Sequence, residues 1–209
     1  MTSYRKITDL PQTIALFPLS GAILFPRGVL PLNIFEPRYL NMVDDALAGE
    51  RLIGMIQPGR DDATLSAVGT LGRITTFSET DDGRYLITLT GVCRYRVVRE
   101  LNAPTPYRQA IASYDDFAQD LTPPLVEIDR DKLRGALRRY VDLHGYKADW
   151  SVVDEAPPEA LVNIVSIICP FDAPAKQALL EARSVTDRCA ALIALLEWSG
   201  AEDPRGPMQ

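Results

Sequence analysis

Few residues in this sequence have the type and spacing to do chemistry, and they lie apart. The single histidine, His144, precedes Gly145 at the end of a helical pattern. A cation is favoured at a helix C-terminus by the aligned peptide dipoles, so His144 reads as part of a helix stop, not as the base of a Ser-His-Asp triad. Lys6, Lys132, Lys147 and Lys176 lie in polar segments, and none accompanies a Gly-x-Ser-x-Gly elbow. Cys93, Cys169 and Cys189 are far apart in apolar surroundings and form no Cys-x-x-Cys, so they read as small buried hydrophobes in a reducing compartment. One histidine and scattered thiols leave a zinc site without ligands. There is no Gly-Lys dipeptide for a phosphate loop, and Gly69-Thr70-Leu71-Gly72 sits inside a strand pattern without the third glycine of a dinucleotide loop. The acidic pairs Asp44-Asp45, Asp61-Asp62, Asp81-Asp82 and Asp115-Asp116 are adjacent residues, whose side chains diverge on a helix or strand. They fall at helix surfaces and turns. No catalytic residue, cofactor or metal is expected, and neither ATP hydrolysis nor proteolysis.

One charged junction stands apart, residues 34–39 (IFEPRY). Glu36 follows an apolar strand and precedes Pro37, a residue suited to the first turn of a helix because its missing N–H has no partner to lose there. Glu36 is therefore expected at the barrel wall, partly desolvated, receiving helix N–H groups or an arginine. Arg38, Arg73 and Arg94 are its candidate partners. Glu36 and Pro37 are read as structural. Phe25, Pro26, Phe35, Arg38 and Tyr39, at or near turns, are the candidate ligand-facing side chains.

The elements around this junction are strands first and helices afterwards. Residues 13–19, 29–35, 51–57, 68–78, 85–98 and 108–114 read as short strands from apolar runs or alternation bounded by Pro and Gly. Asp81-Asp82-Gly83 marks a hairpin, because glycine accepts positive φ. Gly91 interrupts the longest strand, where a bulge lets it bend. Six short strands with close turns imply a small, strongly bent barrel. One helix is inserted, opened by Pro37 and ended by Gly49, with Tyr39, Leu40, Val43, Ala46 and Leu47 on one stripe. Near Leu121-Thr122-Pro123-Pro124 the apolar period changes from about 2 to about 3.6. Helices are predicted over 128–144, 157–168, 173–182 and from 185 onward, with Asp172 as an N-cap and Ser184–Asp187 as a capping box. The expected organisation is a barrel over 1–120, a helical bundle over 121–200 and a flexible tail over 201–209, an α+β fold.

Composition excludes several classes. The 209 residues are 46% hydrophobic and 24% charged, ordinary values for a folded globular chain. No apolar run reaches the roughly 18 residues that span a bilayer, and the first nine residues lack the apolar core of a signal peptide, so the cytoplasm is expected. The net charge is −6, with 12 basic and 13 acidic side chains in residues 1–116. Neither half has the basic surplus of a polyanion binder.

Taken in order, Leu16-Phe17-Pro18-Leu19, Leu24-Phe25-Pro26, Leu30-Pro31-Leu32 and the IFEPRY segment resemble the N-terminal substrate-binding domain of Lon proteases. Val68-Gly69-Thr70, Gly72-Arg73-Ile74, Asp82-Gly83-Arg84-Tyr85 and Gly91-Val92-Cys93-Arg94-Tyr95-Arg96 continue the resemblance. So do Trp150, Leu161-Val162-Asn163, Pro170-Phe171 and residues 176–181 (KQALLE). It covers about residues 12–198 and looks most like stand-alone bacterial Lon-domain proteins. It implies a PUA-like β-barrel followed by a helical bundle, and recognition of protein substrates without the ATPase and Ser-Lys peptidase that the full protease adds. The expectation is a non-catalytic module that binds unfolded polypeptide or acts as an adaptor in protein quality control, with polypeptide substrates or a partner protein as its partners. The alternative is RNA binding, which needs Arg73, Arg84, Arg94, Arg96 and Arg99 to form one patch, since PUA-like barrels often bind RNA.

Overall fold

The structure, a computed structural model, describes residues 4–59, 61, 63–124 and 126–199. The tail expected over 201–209, and Asp62 of the second acidic pair, lie outside the described residues. The chain divides into two compact units, one reaching Pro124 and including Phe171–Leu180, the other made of Leu125–Pro170 and the residues from Glu181 onward.

Six strands build the first unit: β1 (Thr13–Pro18), β2 (Val29–Ile34), β3 (Leu52–Ile56), β4 (Val68–Glu79), β5 (Tyr85–Leu101) and β6 (Gln109–Ser113). Helix α1 (Pro37–Ala48) is inserted between β2 and β3. The helices that follow are α2 (Arg130–Leu143), α3 (Trp150–Glu155), α4 (Pro158–Ile168), α5 (Ala173–Glu181) and α6 (Val185–Ser199). This is the α+β architecture that the change of period implies. The strand order is β2-β5-β4-β3-β1-β6, and β6 pairs a second time with β5, so five strands make a ring of pairings with β2 beside it. β1 and β3 are parallel because β2 and α1 form the crossover between them; the other strand pairs are antiparallel.

β5 makes this arrangement possible. Its 17 residues pair with β2 along Tyr85–Thr90 and with β6 along Arg96–Leu101, on the same side. Between these stretches the register to β4 slips: Leu71 faces Cys93 and Gly72 faces Gly91, leaving Val92 as a bulge that turns the strand. Gly91 is required there, because a Cβ would sit 2.0 Å from the Phe25 carbonyl oxygen. Its amide donates to the Gly28 carbonyl (2.9 Å), and its own carbonyl accepts the Arg27 amide (2.8 Å). At the β4–β5 hairpin Gly83 has φ 78°. Thr80 holds the tip, its carbonyl accepting the Gly83 amide (2.9 Å) and its hydroxyl bonding the Asp82 carboxylate (2.5 Å). That hydroxyl holds the Asp82 carboxyl below its ordinary range.

The barrel interior is built around Tyr95, whose hydroxyl donates to the Met55 carbonyl (3.2 Å). Its ring lies against Gly54 and Gly69, where an added Cβ would come within 2.8 and 2.6 Å of the phenol oxygen. Gly72 makes room for Leu24 instead, 2.7 Å from an added Cβ, so both glycines of the 69–72 segment serve packing. Leu16, Leu71, Cys93 and Ala110 surround Tyr95 in one core cluster. A second cluster joins Phe17, Ile34, Ile53, Ile87 and Leu89 to the Tyr39, Met42 and Val43 face of α1.

A buried ion pair anchors the segment after β6. Residues Asp115–Leu121 form a kinked 3₁₀ turn that delivers Asp120 to Arg94 on β5. The Asp120 carboxylate accepts from the Arg94 amide (3.0 Å), Nε (2.8 Å) and Nη2 (2.9 Å), and Arg94 Nη1 donates to the Leu180 carbonyl (3.0 Å). The guanidinium lies over the Phe117 ring at 4.7 Å, and the Arg27 guanidinium donates to the Asp120 carbonyl. Desolvation pushes the neighbouring Cys93 thiol up to about 12. All three cysteines are buried thiols that form no disulfide, as their apolar surroundings imply.

α5 departs from expectation. It was expected within the bundle over 121–200, yet Phe171–Leu180 joins the strand unit. The reason is polar: Gln57 donates to the Ala173 carbonyl (3.2 Å) and to the Gln177 side chain (3.0 Å). Gln177 donates to the Val68 carbonyl (3.0 Å), and Lys176 to the Gly21 carbonyl (3.0 Å). Asp172 caps α5 through the Ala175 amide (2.8 Å), as predicted.

In the second unit α6 packs on α2 and α4. Leu133, Leu137, Tyr140 and Val141 on α2 and Val185, Cys189, Leu192, Ile193 and Leu196 on α6 are buried, the stripes that the helical spacing predicts. Ser184 accepts the Asp187 amide (3.0 Å) and donates to the Asp187 carboxylate (2.8 Å), a capping box closed through the hydroxyl. The His144 ring bonds the Tyr140 carbonyl (2.8 Å) at the end of α2. α3 is too short to show a period in the sequence; Arg130 caps its C-terminal carbonyls at Val153 (2.9 Å) and Ala156 (2.5 Å). Tyr140, Val141, Val152 and Ile168 line an apolar groove of about 630 Å³. Among the described residues no helix is long and apolar enough to cross a membrane.

Two stability outcomes follow from these contacts. Gly83→Val should lower the stability by about 1–2 kcal/mol, because a β-branched residue is strained at positive φ; a thermal melt checks it. Asp120→Ala should cost about 3–5 kcal/mol by leaving Arg94 buried without its carboxylate, read from urea unfolding.

Candidate polypeptide-binding surface

The sequence-predicted contacts separate into two environments. Phe25 is fully buried, its carbonyl over Gly91, and Pro26 is buried beside it. Tyr39 is buried too, its ring 4.5 Å from that of Phe17. These three shape the strand unit from within instead of facing a client, because the 25–28 turn folds back onto β5 and α1 lays its apolar stripe on the sheet. Burial pushes the Tyr39 phenol above its ordinary value, opposed by Arg38. Phe35 is the opposite case, 64% exposed at the junction of β2 and α1, and Arg38, the second residue of the helix, is exposed.

Glu36 differs from expectation. Its side chain is 43% exposed, so it is not desolvated against the wall. It occupies the N-cap of α1, and its carbonyl accepts the Tyr39 (2.9 Å) and Leu40 (3.0 Å) amides, but its carboxylate caps no helix N–H. It pairs with Arg38 through Nε (2.9 Å) and Nη2 (2.7 Å). Pro37 occupies the first turn and takes up the φ that the helix start needs. Arg38 in turn lies 4.6 Å from the Tyr39 ring centroid. The other candidate partners are engaged elsewhere: Arg94 with Asp120, and Arg73 with the Tyr4 hydroxyl (3.0 Å) and the Glu50 carbonyl (3.0 Å).

The structure adds contacts that the sequence did not single out. Along β2 exposure alternates: Val29, Pro31, Asn33 and then Phe35 face solvent, while Leu30, Leu32 and Ile34 are partly or fully buried. Val29 is 56% exposed, and Leu86 on β5, opposite Asn33, is 44% exposed. In the run VLPLNIF only Asn33 is polar, so its hydropathy marks a buried strand; the spacing of 29, 31, 33 and 35, the parity that holds Asn33, was the available signal for the face in water. The charges bordering this face pair among themselves, Glu36 with Arg38 and Asp82 with Arg84 (2.8 Å).

The arginines of the RNA alternative do not gather. Arg94 is buried, while Arg84 and Arg96 pair with Asp82 and Asp116, the latter at 2.9 Å. With three of the five positive charges matched by carboxylates, the face lacks the surplus that phosphate binding needs.

An exposed ion pair contributes little, because water screens both charges. Glu36→Ala should therefore change stability by less than about 1 kcal/mol, measured by thermal melting beside the wild-type chain.

Comparison with known proteins agrees with this architecture. Residues 13–197 match the family described as the ATP-dependent protease La (LON) substrate-binding domain. Lon protease 2 of Myxococcus xanthus is 25% identical over 197 residues, covering 90% of this chain and 24% of that protein. The Lon protease of Desulfosudis oleivorans is 31% identical over 108 residues, covering 48% of this chain and 13% of the relative. The chain thus spans a quarter or less of the length of these two relatives. Among solved structures, the Lon N-terminal domain protein of Xanthomonas campestris superposes with a TM-score of 0.61 at 22% identity, covering 87% of this chain and 97% of that one. The N-terminal domain of Mycobacterium avium complex Lon protease gives 0.64 at 16%, covering 88% and 98%. The ring of strands around Tyr95, the inserted helix and the helices that follow are therefore the fold of a known group, and this chain belongs to the Lon protease substrate-binding domain family.

Proposed function

We propose that this chain is a non-catalytic recognition module that holds unfolded segments of client proteins, as an adaptor in protein quality control. Membership of a substrate-binding family supports recognition of a substrate. The observation that carries the finer reading is Phe35, a large aromatic side chain 64% exposed at a rigid strand-to-helix junction, with Val29 and Leu86 exposed on the neighbouring strands. Unfolded chains differ from folded ones in displaying apolar side chains. A surface that keeps an aromatic in water offers them a contact whose burial removes apolar area from solvent on both sides. The self-paired charges at its border give no bias toward acidic or basic clients. Arg38, a planar cation beside the aromatic, can cover the stems of bound side chains.

Binding of casein, an unfolded client, tests this. Phe35→Asp should weaken binding by about tenfold or more, the usual cost of removing an aromatic anchor, with little change in melting temperature because Phe35 is mostly in water. Arg38→Ala should weaken it less, also without loss of stability. Casein binding unchanged in both variants would refute the reading.

A further inference from the structure

The outer edge of β2 is a row of backbone groups without partners among the described residues. β2 pairs with β5 alone. In an antiparallel ladder, residues alternate between those that exchange hydrogen bonds with the partner and those whose N–H and C=O point away. The parity is settled by two observations. The Gly91 amide donates to the Gly28 carbonyl (2.9 Å), so even-numbered positions continue the bonds to β5. Pro31, which has no N–H, falls in the odd set, where the ladder to β5 loses nothing. Val29, Pro31 and Asn33 therefore point their backbones outward, offering two donors and three acceptors.

We propose that an extended polypeptide binds by adding a strand to this edge of β2. The inference rests on the polypeptide-binding reading above and specifies its mode. The occupant follows from the geometry: an alternating row of donors and acceptors is matched by another extended backbone, and not by a helix, whose groups are internally paired. Exposed side chains recur on the same face at every second position, Val29, Pro31 and Asn33, followed by Phe35, with Leu86 beside them, so alternate side chains of the added strand would lie along them. Main-chain bonding is indifferent to sequence, which suits clients that share only the unfolded state. Pro31 removes the central donor of the row. That weakens strand addition and opposes pairing of two β2 edges, the usual liability of an exposed edge strand.

The test uses the whole chain and a fluorescein-labelled decapeptide of alternating Ile and Thr, followed by anisotropy, with casein binding measured in parallel. Pro31→Val restores an outward N–H without touching the ladder to β5 and should tighten peptide binding by about two- to tenfold, the effect of one added neutral hydrogen bond. Asn33→Pro removes an outward donor and should weaken it by a similar factor. Circular dichroism and sedimentation confirm that both variants stay folded and monomeric at the assay concentration. Opposite shifts in the two variants support strand addition. Peptide and casein binding that neither variant alters would overturn strand addition and leave the polypeptide reading standing. Wild-type chain that binds neither ligand would overturn both.

Discussion

The contact between Arg94 and Asp120 joins parts of the strand unit that otherwise have little reason to meet. A guanidinium and a carboxylate taken out of water together lose several kcal/mol of solvation each, and their attraction offsets this only when every polar atom is occupied. Here the carboxylate accepts three bonds from Arg94, the guanidinium reaches the Leu180 carbonyl, and the Phe117 ring covers one face. The pair therefore holds the 3₁₀ turn after β6 and the end of α5 against the middle of β5 at one geometry. Its net stabilisation is small. An arrangement that separates the two charges leaves each buried without its partner and is penalised accordingly.

β5 can carry this load because of what lies on either side of Arg94. Gly91 and the bulge at Val92 let the strand turn from β2 to β6, while Tyr95 fills the barrel through the space left by Gly54 and Gly69. Four features within five residues thus set the bend, the interior and the anchor: a glycine, a bulge, a buried cation and a buried aromatic. The same bend leaves β2 beside the ring, with one partner. The exposed edge and the exposed Phe35 follow from the topology that the bulge permits.

On the proposed reading, recognition rests on the surface that this fold leaves exposed. The thiols are buried and the Cys93 proton is held tightly by desolvation. The exposed carboxylates of Glu36 and Asp82 have arginine partners. What the surface offers is apolar area and unpaired backbone, the two things that an unfolded chain also displays.

Strands, the inserted helix and most of the later helices were legible in the sequence, because period, proline and glycine act locally. Pro37 and Gly49 bound α1, Gly83 has the positive φ of its turn, and Gly91 sits at the bulge. The sequence also holds no Gly-Lys dipeptide of the kind a phosphate loop needs. Tertiary structure decided the rest. How far each residue of a run such as VLPLNIF, apolar but for Asn33, faces water depends on what packs over it, and Phe35 and Phe25, both beside apolar runs in sequence, differ completely in exposure. Whether Glu36 or Asp120 receives a buried arginine depends on the fold of β5, and Arg94 meets a carboxylate 26 residues away. α5 joins the strands because Gln57, Lys176 and Gln177 satisfy backbone carbonyls at long range. Local preferences write elements into a sequence, whereas partners for buried polar groups and the open face of a strand exist only once distant segments are brought together.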